Sequence, residues 1–149
     1  MKTTFLTLLI LLISIASFGQ NKDEKLYNLV VKNDTKNSIK LISENADVNY
    51  VKELGWAKVN ILITAINNIN VEIVKSLLEN NADVNWKDGF NSSALMYAAS
   101  KGDREIVDLL LKYGADINAN DGMGNTVLTA AKESKNAKLI LFIEAKIKG

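Results

Sequence analysis

Three stretches decide the fold: Asn45-Ala46-Asp47-Val48-Asn49, Asn81-Ala82-Asp83-Val84-Asn85 and Gly114-Ala115-Asp116-Ile117-Asn118. They stand 36 and 33 residues apart. Self-similarity at such a period marks a chain built from one supersecondary unit used several times. The agreement extends outward from these segments. Leu62, Leu95 and Leu128 are 33 apart, as are Ala65, Ala98 and Ala131. The apolar pairs Ile73-Val74, Ile106-Val107 and Leu139-Ile140 fall in the same phase, followed by Leu77, Leu110 and Ile143.

Inside each unit the pattern is helical. Ile106, Val107, Leu110 and Leu111 occupy positions i, i+1, i+4 and i+5, one face of a 3.6-residue period, and Ile73, Val74, Leu77 and Leu78 repeat it. Asn60, Ser93 and Thr126 precede the first helix of their units. Asn70, Asp103 and Asn136 precede the second, with Asp34 in that place in the first unit. All are residue types whose side-chain oxygen can satisfy a free N–H at a helix start. Asn45, Asn81 and Gly114 follow the second helices, where a left-handed residue closes the helix and Gly or Asn is favoured. The abundant Asn is therefore mainly cap and turn chemistry.

On these residues the chain resembles the ankyrin repeat family. Residues 88–118 carry the resemblance best, through Asp88, Leu95, Ala98-Ala99, Gly102, Ile106-Val107, Leu110-Leu111 and Gly114-Ala115-Asp116-Ile117-Asn118. It covers about residues 24–149, and three copies are in phase. The chain is similar to small exported bacterial members of that family. The resemblance implies an all-α, ankyrin-type solenoid of helix-turn-helix repeats with short β-hairpin loops. The departures are definite. The family's Thr-Pro-Leu-His tetrad reads Ser93-Ala94-Leu95-Met96 and Thr126-Val127-Leu128-Thr129 here, and the chain has no Pro or His at all. The hydrogen bonds that tetrad makes between neighbouring turns therefore need another source.

Four units are expected: 22–49, a helix pair lacking its own hairpin, then 50–85, 86–118 and 119–149. The longer first spacing puts three extra residues into the first hairpin, within Tyr50–Lys58. One helix pair cannot bury both its faces, so stacking supplies the core and end units become atypical. Glu144, at the place of Leu78 and Leu111, fits a polar end.

Residues 1–19 read as a secretory signal: Met1-Lys2, an apolar run from Phe5 to Phe18, and small residues at Ser17 and Gly19. Cleavage is expected between Gly19 and Gln20, leaving residues 20–149 as the repeat domain. The apolar run is too short for the ~20 residues that span a bilayer. An uncleaved anchor is the alternative. Loss of Lys2 brings the 18 basic residues level with the 17 acidic ones, so no large single-sign field steers a partner.

The 149 residues contain no Cys and no His. That removes disulfides, thiolate nucleophiles, the commonest general base and the commonest metal ligand. No nucleic-acid partner is expected at this charge balance. Neither a cofactor nor a metal site is expected. The run Asp116–Gly122 looks like the start of a calcium loop, but Asp121 and Val127 stand where Gly and Glu are needed. Asp side chains capping hairpin turns explain it better. Asp103 and Glu105 sit at a helix start, where the dipole favours negative charge.

The function expected is non-enzymatic binding of a protein partner outside the cytoplasm, by a monomer with no membrane attachment after cleavage. The resemblance implies that hairpin tips and the exposed concave face of the first helices do the binding. The residues expected there are Tyr50, Trp56, Asn67, Asn68, Trp86, Lys87, Phe90, Ser100, Lys101, Asn120, Met123 and Asn125, with Glu133 and Ser134 nearby. Aromatic and Met side chains are enriched in interface cores. Phe90 and Met123 occupy equivalent tips and read as binding residues ahead of the alternative, hairpin-to-hairpin packing. Tyr50 and Trp86 read equally as binding residues or as hairpin-to-hairpin packing. Narrower alternatives are a periplasmic immunity or inhibitor protein acting on a toxin or hydrolase, and a membrane-tethered scaffold.

Overall fold

The structure is a computed structural model and describes residues 22–55 and 57–149. Helix α1, described over residues 22–31, is followed by α2 (Thr35–Ser43). A hairpin of β1 (Val51–Leu54) and β2 (Ala57–Asn60) leads into α3 (Ile61–Asn67) and α4 (Val71–Glu79). Two more helix pairs complete the chain: α5 (Ala94–Lys101) with α6 (Arg104–Lys112), and α7 (Val127–Glu133) with α8 (Ala137–Lys148).

Each of α2 to α8 begins on one of the expected caps. The side chains of Asp34, Asn60, Asn70, Ser93, Asp103, Thr126 and Asn136 each accept from the N–H three residues on, at 2.8–3.3 Å. Asn45, Asn81 and Gly114 take φ of 59°, 66° and 88° after the second helices. A further left-handed position recurs between the helices of each pair, at Asn33, Ile69, Gly102 and Lys135.

Helices α3, α5 and α7 stack in one layer, and α2, α4 and α6 in another. Between the layers lie Leu62 and Leu95, Ile73, Ile106 and Leu139, and Leu77, Leu110 and Ile143, all at 0–1% exposure. Ala65, Ala98 and Ala131 are fully buried, and their small side chains let neighbouring first helices approach. Each large aliphatic side chain buried this way contributes about 1.5–3 kcal/mol. Leu128, the last counterpart of Leu62, is only partly buried because no further unit covers it among the described residues. Ser38 is a misfit. It holds the place of Val74 and Val107, is fully buried, and its hydroxyl has no partner among the described residues.

The hairpins differ as the spacing requires. β1 and β2 pair antiparallel from Val51↔Asn60 to Leu54↔Ala57. The later two hairpins are reduced to single bridges, Lys87↔Ser93 and Asn120↔Thr126.

Side-chain amides tie neighbouring turns together. The Asn49 amide accepts from Asp83 N–H at 2.7 Å and donates to the Asn81 carbonyl at 3.2 Å. The Asn85 amide does the same to Asp116 and Gly114, at 3.0 Å each. The last residue of the first two stretches that revealed the repeat thus clamps the turn of the next unit. At the N-terminal end two residues share that role: the Asp23 carboxylate accepts from Asp47 N–H at 2.8 Å, and the Lys22 ammonium donates to the Glu44 carbonyl at 2.7 Å.

The segment read as a signal, residues 1–19, lies outside the described residues. Among the described residues no helix is long and apolar enough to cross a membrane.

Candidate interaction surface

The second and third hairpins are built on one device. Asp88 Oδ1 accepts from the N–H groups of Phe90 and Ser92, at 2.9 Å each. Asp121 Oδ1 accepts from those of Met123 and Asn125, at 2.7 and 3.0 Å. These are turns in which a carboxylate replaces a backbone acceptor. They hold Phe90 at 49% exposure and Met123 at 73% on adjacent tips. The Lys87 ammonium donates to the Asn120 carbonyl at 2.8 Å and ties one hairpin to the next. Donation from Met123 N–H and then from the Asn125 amide holds the Asp121 carboxyl below its ordinary pKa, so it is ionised in this role.

Each carboxylate also reaches the floor or wall of a cleft between α5 and α7. Asp88 Oδ2 accepts from the Tyr97 hydroxyl at 2.6 Å. Asp121 Oδ2 accepts from the Asn125 amide nitrogen. The cleft encloses about 190 Å³. Met96, Tyr97 and Ala130 give it apolar surface, and Ser92, Ser100, Asn125 and Glu133 line its polar side. Burial first, and then the bond to Asp88, push the Tyr97 hydroxyl well above the ordinary phenol range. Tyr97 is therefore a fixed, neutral wall of the cleft.

The expected site residues divide into groups. Ser100 and Asn125 line the cleft, and Phe90 and Met123 stand on the hairpins that frame it. Lys101 and Asn67 are exposed at the ends of α5 and α3. Asn120 is exposed, with its Oδ1 accepting from Gly122 N–H. Asn68 has a structural role: its amide donates to the Val30 carbonyl at 2.7 Å, stitching α3 to α1. Tyr50 and Trp86 are half-buried against the core, and the Tyr50 ring lies 6.2 Å from that of Tyr27. Trp56 lies outside the described residues. Sequence reasoning missed Tyr97. The signal was present, since Tyr97 is a large side chain at the place of Thr64 and Ala130.

Asp47, Asp83 and Asp116 each accept from the N–H two residues on. Their carboxylates serve the turns, and among the described residues no group of three or more Asp or Glu could hold a metal ion.

A family model described as ankyrin repeats (3 copies) matches residues 13–121 and 62–148. Its first match begins inside the segment read as an export signal. The mitochondrial disaggregase of Homo sapiens is 39% identical over 72 residues, which is 48% of this chain. The matched stretch spans only 10% of that protein's length.

Proposed function

Because the chain belongs to the ankyrin repeat family, whose repeats are protein-protein interaction modules, we propose that it is a non-enzymatic binder. It holds a protein partner through the Phe90 and Met123 tips and the cleft between α5 and α7. The observation that carries this reading is the pairing of two exposed apolar tips with a neighbouring cleft, all positioned by Asp88 and Asp121. A rigid turn loses little conformational entropy when a partner docks, so a small contact patch suffices.

Action outside the cytoplasm belongs to the same proposal. It rests on Lys2, the apolar run to Phe18 and the small residues Ser17 and Gly19. An inhibitor of an exported toxin or hydrolase is a narrower form of the reading and would use the same surface.

The test is cross-linking in the native cell, comparing the wild-type chain with Phe90→Ser/Met123→Ser and with Leu141→Ser on the outer layer. Loss of two interface anchors weakens binding by at least about tenfold. The tip variant should lose the captured protein and the Leu141 variant should keep it. Equal capture by the tip variant, with an unchanged melting temperature, rejects this surface.

A further inference from the structure

The cleft between α5 and α7 has an uneven supply of hydrogen-bonding groups. Two of its strongest donors are already used inside the chain. The Tyr97 hydroxyl proton is on Asp88, and the Asn125 amide nitrogen is on Asp121. Asn125 can still offer its oxygen, an acceptor, and the second N–H of its amide. Glu133 is an acceptor only, and it makes no hydrogen bond or ion pair with another described residue. The hydroxyls of Ser92 and Ser100 adapt to either role. Beneath these groups lie the Met96 side chain, the Tyr97 ring and Ala130.

From this arrangement we infer that the cleft receives one long cationic side chain, a lysine or arginine of the protein partner. The inference rests on the binding role proposed above and adds the chemistry of the contact. Lysine and arginine carry an apolar stem and a head that only donates. The stem fits against Met96, Ala130 and the Tyr97 ring, and the head meets Glu133 and the Asn125 oxygen. An acidic side chain would set acceptor against acceptor. The volume of about 190 Å³ suits one side chain and not a helix. The tyrosine face adds attraction for a cation. Lys101 and Lys132 are neighbours in sequence of Ser100 and Glu133, and adjacent helical residues do not share a face.

Short random peptides selected for binding to the full chain provide the test. Enriched peptides should contain a Lys or Arg. Its replacement by Met should weaken binding about tenfold, as expected for losing a charge-assisted hydrogen bond. Glu133→Gln should lose the same factor toward the basic peptide and nothing further toward the Met peptide, a coupling that identifies the pair. Glu133→Asp should retain most of the affinity. Enriched peptides without a basic residue, or equal binding by Glu133→Gln, overturn the inference. If Phe90→Ser/Met123→Ser still abolishes binding of those peptides, the interaction surface stands without it. Peptides insensitive to both sets of changes remove the surface and the inference together.

Discussion

Replacing Ser38 by alanine should raise the stability of the stack. The Ser38 side chain is fully buried in α2, and its hydroxyl has no hydrogen-bond partner among the described residues. A buried polar group left unpaired costs about 1–3 kcal/mol. Alanine also exceeds serine in helix propensity by about 0.5 kcal/mol. Against this stand the oxygen's dispersion contacts, at about 0.1–0.2 kcal/mol each. The balance is a gain of about 1.5 kcal/mol, or about 3–6 °C in melting temperature for a domain of this size. Urea denaturation measures it: the midpoint should rise while the slope m stays constant. Ser38→Val asks whether the site has room for the residue that Val74 and Val107 supply elsewhere. Each added methyl contributes about 0.8 kcal/mol if it fits, whereas overpacking costs about 1–3 kcal/mol. An alanine variant with an unchanged or lower midpoint refutes the reasoning, because the hydroxyl would then be satisfied.

Asn85→Ala removes both hydrogen bonds that clamp the Asp116 turn, and should cost about 1–2 kcal/mol. Because those bonds couple neighbouring units, the urea transition should also broaden, and a transition that only shifts argues against a coupling role. Asp34 and Asp121 should steepen acid unfolding. The Asn37 side chain and then its N–H depress the Asp34 carboxyl below 3.8, as Met123 N–H and the Asn125 amide do for Asp121. Stabilisation from a depressed carboxyl is complete above the ordinary value and is lost as pH falls through the folded one. Melting temperatures of Asp34→Asn and Asp121→Asn should accordingly depend less on pH below about 4.

The architecture was legible because the repeat states it more than once. A single Leu95 says little, but Leu62, Leu95 and Leu128 at one spacing identify a shared core position. The caps were legible for a chemical reason, since Asn, Ser, Thr and Asp before an apolar face have few other uses there. The left-handed turns at Ile69 and Lys135 were not, because neither residue favours positive φ, and only Asn33 and Gly102 at the equivalent places hint at the requirement. The candidate surface was half legible. Phe90 and Met123 stood out as apolar residues on hairpin tips. The cleft did not, because it depends on Asp88 meeting Tyr97 nine residues away and on α7 arriving alongside α5. Asn68 shows the converse: a polar residue read as surface that the fold uses to hold α1, whose Val30 carbonyl lies 38 residues earlier.

The clamps also give the stack a direction. Between the later second-helix turns the clamp is a neutral amide, which added salt barely touches. At the first turn a carboxylate, Asp23, holds the Asp47 N–H, and an ammonium, Lys22, donates one residue earlier than the amides do, to the Glu44 carbonyl. That end also carries an ion pair between units, Lys52 of β1 with Glu24 of α1, and mobile ions screen such a pair. Rising ionic strength therefore loosens one end of the solenoid selectively. Fraying acquires a polarity, starting at α1 and moving toward α8, because the charge-to-charge contact between units, among the described residues, lies at that end.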